Sequence, residues 1–115
     1  MVRILCKKIP KIWYYRNIAG RDRIVDKFFQ YNSRLRENVN DFEGYINSES
    51  YYTYYDDNRQ EIVFTISEWK NYASWDNWYR SDVRRSLKRE YNDIISDEII
   101  SVLFKNPREY ETFLL

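Results

Sequence analysis

The alternation of apolar and polar positions, interrupted by turn residues, divides the chain into strand-like and helical stretches. Val2 to Ile9 and Lys11 to Arg16 both read as strands, separated by Pro10, which a central strand does not accept. Either is the first sheet strand, or one edge strand bends at the proline. Beyond Ala19-Gly20, Arg21 to Asn40 reads as a helix. Ile24, Phe28, Tyr31 or Asn32, Leu35 and Val39 recur there at helical spacing as one apolar stripe. Asp22 near its start and Arg34 and Arg36 towards its end suit the helix dipole. Gly44 ends the next turn. Tyr45 to Tyr55, rich in Tyr and Thr, reads as a strand. Asp56-Asp57-Asn58-Arg59 reads as a turn, and Gln60 to Trp69 as the returning strand of an antiparallel hairpin. Asn71 caps a short predicted helix through Arg80, and Ser81 a longer one through Ile94. Glu98 to Lys105 is the last predicted strand, closed by Asn106-Pro107.

The resulting order, β-α-β-β-α-β, predicts an α+β domain of the ferredoxin-like split-βαβ kind over residues 1–105, with 106–115 as a short tail. That layout places both helical segments on one face of an antiparallel sheet and leaves the other to water. The pattern does not suit a wet second face. Ile62, Phe64 and Ile66 share one face of their strand, while Val63 and Trp69 share the other. Ile99, Ile100, Val102, Leu103 and Phe104 populate both faces of the last strand. A domain of 115 residues has nothing left to cover a second apolar face, so a homodimer packed sheet on sheet is expected. The alternative is an edge strand partly covered by the tail, whose final Phe113-Leu114-Leu115 is apolar.

Composition narrows the chemistry. Charged residues make up 32% and hydrophobic ones 43%, with no apolar run of the roughly 20 residues that span a bilayer. MVRILCKKIP lacks the apolar length and cleavage site of a signal peptide, and the single Cys6 has no internal disulfide partner; a cytoplasmic location is expected. Net charge is +1, and Asp82 and Glu90 dilute the basic run Arg80, Arg84, Arg85, Lys88 and Arg89, so neither nucleic acid nor a membrane is an expected partner. No aromatic RNA-binding signature occurs in the strands. Aromatics reach 19%, including twelve Tyr and four Trp, which points to aromatic-lined cavities or broad interfaces; codon bias of an AT-rich genome is the competing explanation. The chain has no His, so the commonest metal ligand and proton shuttle is missing. The carboxylates are scattered without metal-site or catalytic-pair spacing.

Phe42-Glu43-Gly44-Tyr45, the hairpin, Glu68-Trp69-Lys70, and then Trp78-x-x-Ser81-Asp82-Val83 form an ordered set. This set resembles the antibiotic-biosynthesis-monooxygenase family, of the dimeric α/β-barrel superfamily, and within it the haem-degrading branch. The resemblance spans roughly Gly20 to Phe104. It implies that Trp78 lines the pocket. The branch's axial His falls on Lys88, and its first-strand pocket Asn has no counterpart, Asn17 being nearest. Haem degradation by the usual arrangement is therefore not expected, and no cofactor is. The wider family implies oxidation of phenolic, quinol or anthrone substrates without metal, flavin or haem.

Such chemistry needs aromatic walls, a hydrogen bond to the phenolic oxygen and a cation near the developing anion. Trp69, Tyr72, Trp75 and Trp78 are the candidate walls, Tyr52 or Tyr54 the hydroxyl, and Lys88 or Arg89 the cation. Each has a plainer reading: Tyr72, Trp75 and Tyr79 follow the spacing of a buried helix face, and the basic run that of a solvated one. Cys6 reads as a small buried hydrophobe. Two functions remain, a cofactor-independent or haem-related monooxygenase acting on a small aromatic molecule and a non-catalytic dimeric binding domain. A cavity of about 300 Å³ or more favours the first, and one filled by Tyr and Trp side chains the second.

Overall fold

Pro10 decides the first strand. In the computed structural model, which describes residues 1–10, 20–55 and 60–115, β1 (Val2–Pro10) ends at the proline, where its pairing register also shifts. The other candidate strand, Lys11 to Arg16, lies outside the described residues, as do Asn17 and the turn Asp56 to Arg59. After β1 come α1 (Gly20–Val39), β2 (Tyr45–Tyr55), β3 (Gln60–Trp69), α2 (Tyr72–Tyr79), α3 (Asp82–Glu90), β4 (Ile95–Leu103) and α4 (Pro107–Leu114). The sheet order is β2-β3-β1-β4, and all neighbouring pairs are antiparallel. This is the ferredoxin-like α+β arrangement, with the second crossover helix broken in two.

Local chemistry sets the breaks. Asn71 Oδ1 accepts from the Ser74 N–H at 2.9 Å and starts α2. Ser81 Oγ accepts from the Arg84 N–H at 3.2 Å and starts α3, while donating to the Trp78 carbonyl at 2.7 Å. Such caps satisfy otherwise orphaned helix-end groups. α3 ends at Glu90, earlier than the predicted Ile94. Tyr91 and Ile94 keep the apolar spacing, but their backbone turns, and both are buried. β4 begins at Ile95 because Ile95 and Asp97 pair with Pro10 and Ile9 across the irregularity. The C-terminal tail is helical: Asn106 caps it with a 2.9 Å bond from the Glu109 N–H, and Pro107 occupies the first turn. Its Phe113 packs 5.4 Å from Tyr72 and 5.2 Å from Phe104.

Gly44 lies in the turn between α1 and β2 and packs against the first turn of α2. Its φ of +85° is left-handed, and a Cβ there would collide with the Ser74 side chain. The Lys70 N–H donates to its carbonyl at 2.7 Å.

The register assigns the two faces of the sheet. Ile4, Val63, Trp69 and Ile100 face the helices; Leu5, Phe64, Ile66, Ile99 and Leu103 face away. The core lies on the helix side in two groups. Phe28, Tyr31, Val63, Leu87, Tyr91 and Ile94 form one, and Ile4, Val39, Trp69, Trp75 and Trp78 the other, with Leu35 of α1 packed against both. On the opposite face Ile99 is 43% exposed and Leu5, Phe64, Ile66 and Leu103 are half-buried. α4 packs on the end of β4 at Phe104, borders Leu103 and pairs Glu109 with Arg3, and Ile99 stays exposed.

Candidate functional site

A cavity of about 80 Å³ lies between the sheet and helices α1 to α3. Its floor consists of small hydroxyl residues. Ser48 and Ser50 of β2 stand opposite Ser67 and Thr65 of β3, and Ser50 Oγ and Thr65 Oγ1 are 3.1 Å apart. Larger side chains here would fill the space; these leave it open and keep its floor polar. Ile4, Cys6 and Lys8 of β1 continue the floor, and Asn32, Leu35, Arg36 and Val39 of α1 form the roof.

Three tryptophans wall the cavity. Trp69 is fully buried, donates through Nε1 to Ser67 Oγ at 3.0 Å and meets Tyr45 edge-on at 5.2 Å. Trp75 stacks on Tyr79 at 5.0 Å, and Trp78 meets Phe42 edge-on at 4.9 Å. Each ring therefore has one packed side and one side towards the cavity.

A buried ionic group closes the other end. Arg84, which lines the cavity, pairs with Glu98, their side chains 7% and 5% exposed. The Arg84 guanidinium also lies 4.5 Å from the Tyr79 ring centroid. Lys8 stands opposite Glu98 in the β1–β4 pairing and is 4% exposed. Its ammonium is 5.4 Å from the Tyr31 ring centroid and makes no salt bridge among the described residues. Burial by itself raises the Glu98 carboxyl, but Arg84 and Lys8 together outweigh it and hold the group below the usual carboxylate range. Burial pushes the Cys6 thiol up, so it is no activated nucleophile. Among the described residues the Tyr31 hydroxyl, Asn32 Nδ2 and Glu98 Oε2 are buried without a hydrogen-bond partner.

The structure brings Trp69, Trp75 and Trp78 together around the cavity, and Tyr52, Tyr72, Lys88 and Arg89 do not line it. Tyr72 is 40% exposed and packs between Trp75 and Phe113 outside the cavity. Tyr52, 55% exposed, lies against Phe29 of α1 at 5.3 Å. The Tyr54 side chain is outside the described part. Lys88 and Arg89 are exposed; Lys88 borders a separate shallow groove with Asn92 and Asp97, and Arg89 bonds Ser86 at 3.3 Å. The cations at the cavity are instead Lys8, Arg36 and Arg84. Arg84 was detectable: it precedes Leu87 and Tyr91 at i, i+3, i+7, on the buried stripe that Lys88 and Arg89 leave. The hydroxyl floor carried a signal too, Ser and Thr alternating on two paired strands.

Haem does not fit. The position of the family's axial ligand is the exposed Lys88, outside the cavity, and 80 Å³ is far below the about 300–1,000 Å³ of drug-sized ligand sites. Among the described residues no three His, Cys, Asp or Glu side chains gather as a metal site requires, and no helix is long and apolar enough to cross a membrane.

No family model and no curated protein matches the sequence. Solved structures do match the fold. A conserved protein from Methanosarcina mazei Go1 aligns with a TM-score of 0.64 at 20% identity, over 92% of this chain and 95% of that one. An antibiotic biosynthesis monooxygenase gives 0.66 at 16% identity, over 93% and 100%. SnoaB, a cofactor-independent oxygenase from Streptomyces nogalater, gives 0.60 at 5% identity, over 91% and 92%. At these identities the likeness is one of fold: this chain is built on the same ferredoxin-like frame as those two oxygenases.

Proposed function

We propose that the chain is a homodimeric monooxygenase of the antibiotic-biosynthesis-monooxygenase type, oxidising a quinol- or anthrone-type aromatic without metal or flavin. The observation that carries this reading is the cavity itself, where three tryptophan rings stand over a hydroxyl floor that ends in buried cations. The fold shared with a cofactor-independent oxygenase supports it. Trp69, Trp75 and Trp78 flank the substrate ring, and Arg84 and Lys8 stabilise its ionised oxygen. The substrate anion is the reductant. At a ring methylene a C–O bond forms with dioxygen, and the O–O bond of the resulting hydroperoxide then breaks. One oxygen stays as the new carbonyl, and the other leaves as water with the two methylene hydrogens. The protein's part is to hold the anion, orient it and exclude water. Dimerisation is supported by the outward face, where Leu5, Phe64, Ile66, Ile99 and Leu103 are more apolar than the floor beneath the helices.

A second reading, a non-catalytic binding domain, is favoured by the cavity volume. At about 80 Å³ it is filled largely by tryptophan, so a ring enters only if Trp75 or Trp78 turns away from the floor. Dioxygen uptake with an anthrone in the presence of a chelator separates the two. The oxygenase reading predicts uptake above the buffer rate that falls at least tenfold in Trp78→Ala. Binding without any enzyme-dependent uptake supports the second reading.

A further inference from the structure

The cavity carries a charge imbalance that any bound anion, the ionised oxygen of an oxidised substrate included, would relieve. Among the described residues its lining holds three cations, Lys8, Arg36 and Arg84, and no carboxylate, in a chain whose charges almost cancel at 19 basic against 18 acidic residues. Glu98, behind the lining, neutralises one of the two buried cations, so Lys8 and Arg84 with Glu98 leave one positive charge. A buried charge without a partner is costly, and so is an orphaned donor. Among the described residues both occur here: Lys8 shares Glu98 with Arg84 and makes no direct ion pair, and Asn32 Nδ2 has no hydrogen-bond partner. One anionic oxygen at this end relieves both at once.

We propose that the end of the cavity bordered by Lys8, Asn32 and Arg84 is a binding subsite for one singly charged oxyanion of carboxylate type. The ammonium supplies charge, the amide a directed hydrogen bond, and the outward edge of the Arg84 guanidinium a second donor set. Ser50 and Thr65 leave the room and add hydroxyls beside it. The volume suits a group of a few non-hydrogen atoms and admits no ring without rearrangement. The ligand is either a free small carboxylate or the anionic head of a larger aromatic whose ring reaches the tryptophan wall. The proposal rests on the cavity being a ligand site and is independent of oxygen chemistry.

The test uses sodium acetate as probe, acetamide as its neutral isostere and benzoate as the aromatic counterpart, at constant ionic strength. Melting temperature and tryptophan fluorescence are the readouts. Acetate is expected to stabilise the wild type saturably with one site per chain, and acetamide to leave it unchanged. Asn32→Asp places a competing carboxylate in the subsite from the half-buried roof, away from the ion pair, and should weaken acetate at least tenfold. Lys8→Met should do the same if it folds. Benzoate binding tighter than acetate assigns the subsite to an aromatic head group; acetate binding with none for benzoate assigns it to a free carboxylate. No saturable acetate response, an equal response to acetamide, or acetate affinity untouched by Asn32→Asp overturns the proposal. Because nothing here depends on turnover, an inactive protein that still binds acetate contradicts the oxygenase reading alone.

Discussion

Replacing Glu98 by Gln should destabilise the domain more than replacing Arg84 by Met, although the two form one ion pair. The pair is buried, and removing one partner of such a pair costs about 3–5 kcal/mol, because the other is left charged in a poorly polarisable site. Lys8 breaks the symmetry. It is buried, stands opposite Glu98 in the strand pairing, and its charge helps hold the same carboxyl below the usual carboxylate range without a direct ion pair among the described residues. In Arg84→Met, Glu98 keeps Lys8, and the loss is closer to that of one charged hydrogen bond, about 1.5–3 kcal/mol. In Glu98→Gln two buried cations face each other without a carboxylate, and the full range applies. Urea unfolding followed by circular dichroism at neutral pH measures both, against a total of roughly 5–15 kcal/mol for a domain of this kind. The difference is also pH-dependent. The folded carboxyl titrates below its ordinary 4.5, so the pair's contribution is complete above that value and is lost as pH falls through the folded one. The gap between wild type and Glu98→Gln should therefore close in acid. An Arg84→Met cost equal to or above that of Glu98→Gln would refute the compensating role given to Lys8.

Gly44→Ala should cost at least about 1–2 kcal/mol from the left-handed backbone alone, with a further loss from the clash with Ser74; a melting temperature within error of wild type counts against it. Trp78→Phe should cost on the order of 1–3 kcal/mol, since the ring is 7% exposed and packs against Phe42, while weakening any planar aromatic ligand. Unchanged ligand affinity would make Trp78 purely structural. Phe64→Asp on the outward face should convert a dimer to a folded monomer of 14.4 kDa in light scattering; a wild type that is already monomeric contradicts the proposed interface.

Much of this fold is legible in local pattern. The alternation that sets Ile62, Phe64 and Ile66 against Val63 and Trp69 is that of β3, and the caps Asn71 and Ser81 stand where helix-end chemistry requires them. The helical tail is announced by Asn106-Pro107, a cap followed by a first-turn proline, which reads equally well as a strand terminator. Long-range facts were not legible. That Lys8 faces Glu98 depends on β1 lying beside β4, a pairing of residues 90 positions apart that no local periodicity encodes. The three tryptophans are conspicuous in the sequence as large aromatics, whereas Ser48, Ser50, Thr65 and Ser67 have the small polar pattern of a solvent-facing strand. Here those residues lie under the helices, on the core side of the sheet beside Ile4, Val63 and Trp69, and not on a solvent face.

The central claim is that this cavity inserts one atom of dioxygen into an aromatic substrate. Mass spectrometry of the product formed from an anthrone under isotopically labelled dioxygen, with chelator and a protein-free control, tests it most directly. One labelled oxygen is expected in the new carbonyl, formed faster than in the control and suppressed in Trp78→Ala. A product whose oxygen comes from water, or a rate no greater than the control's, would contradict it.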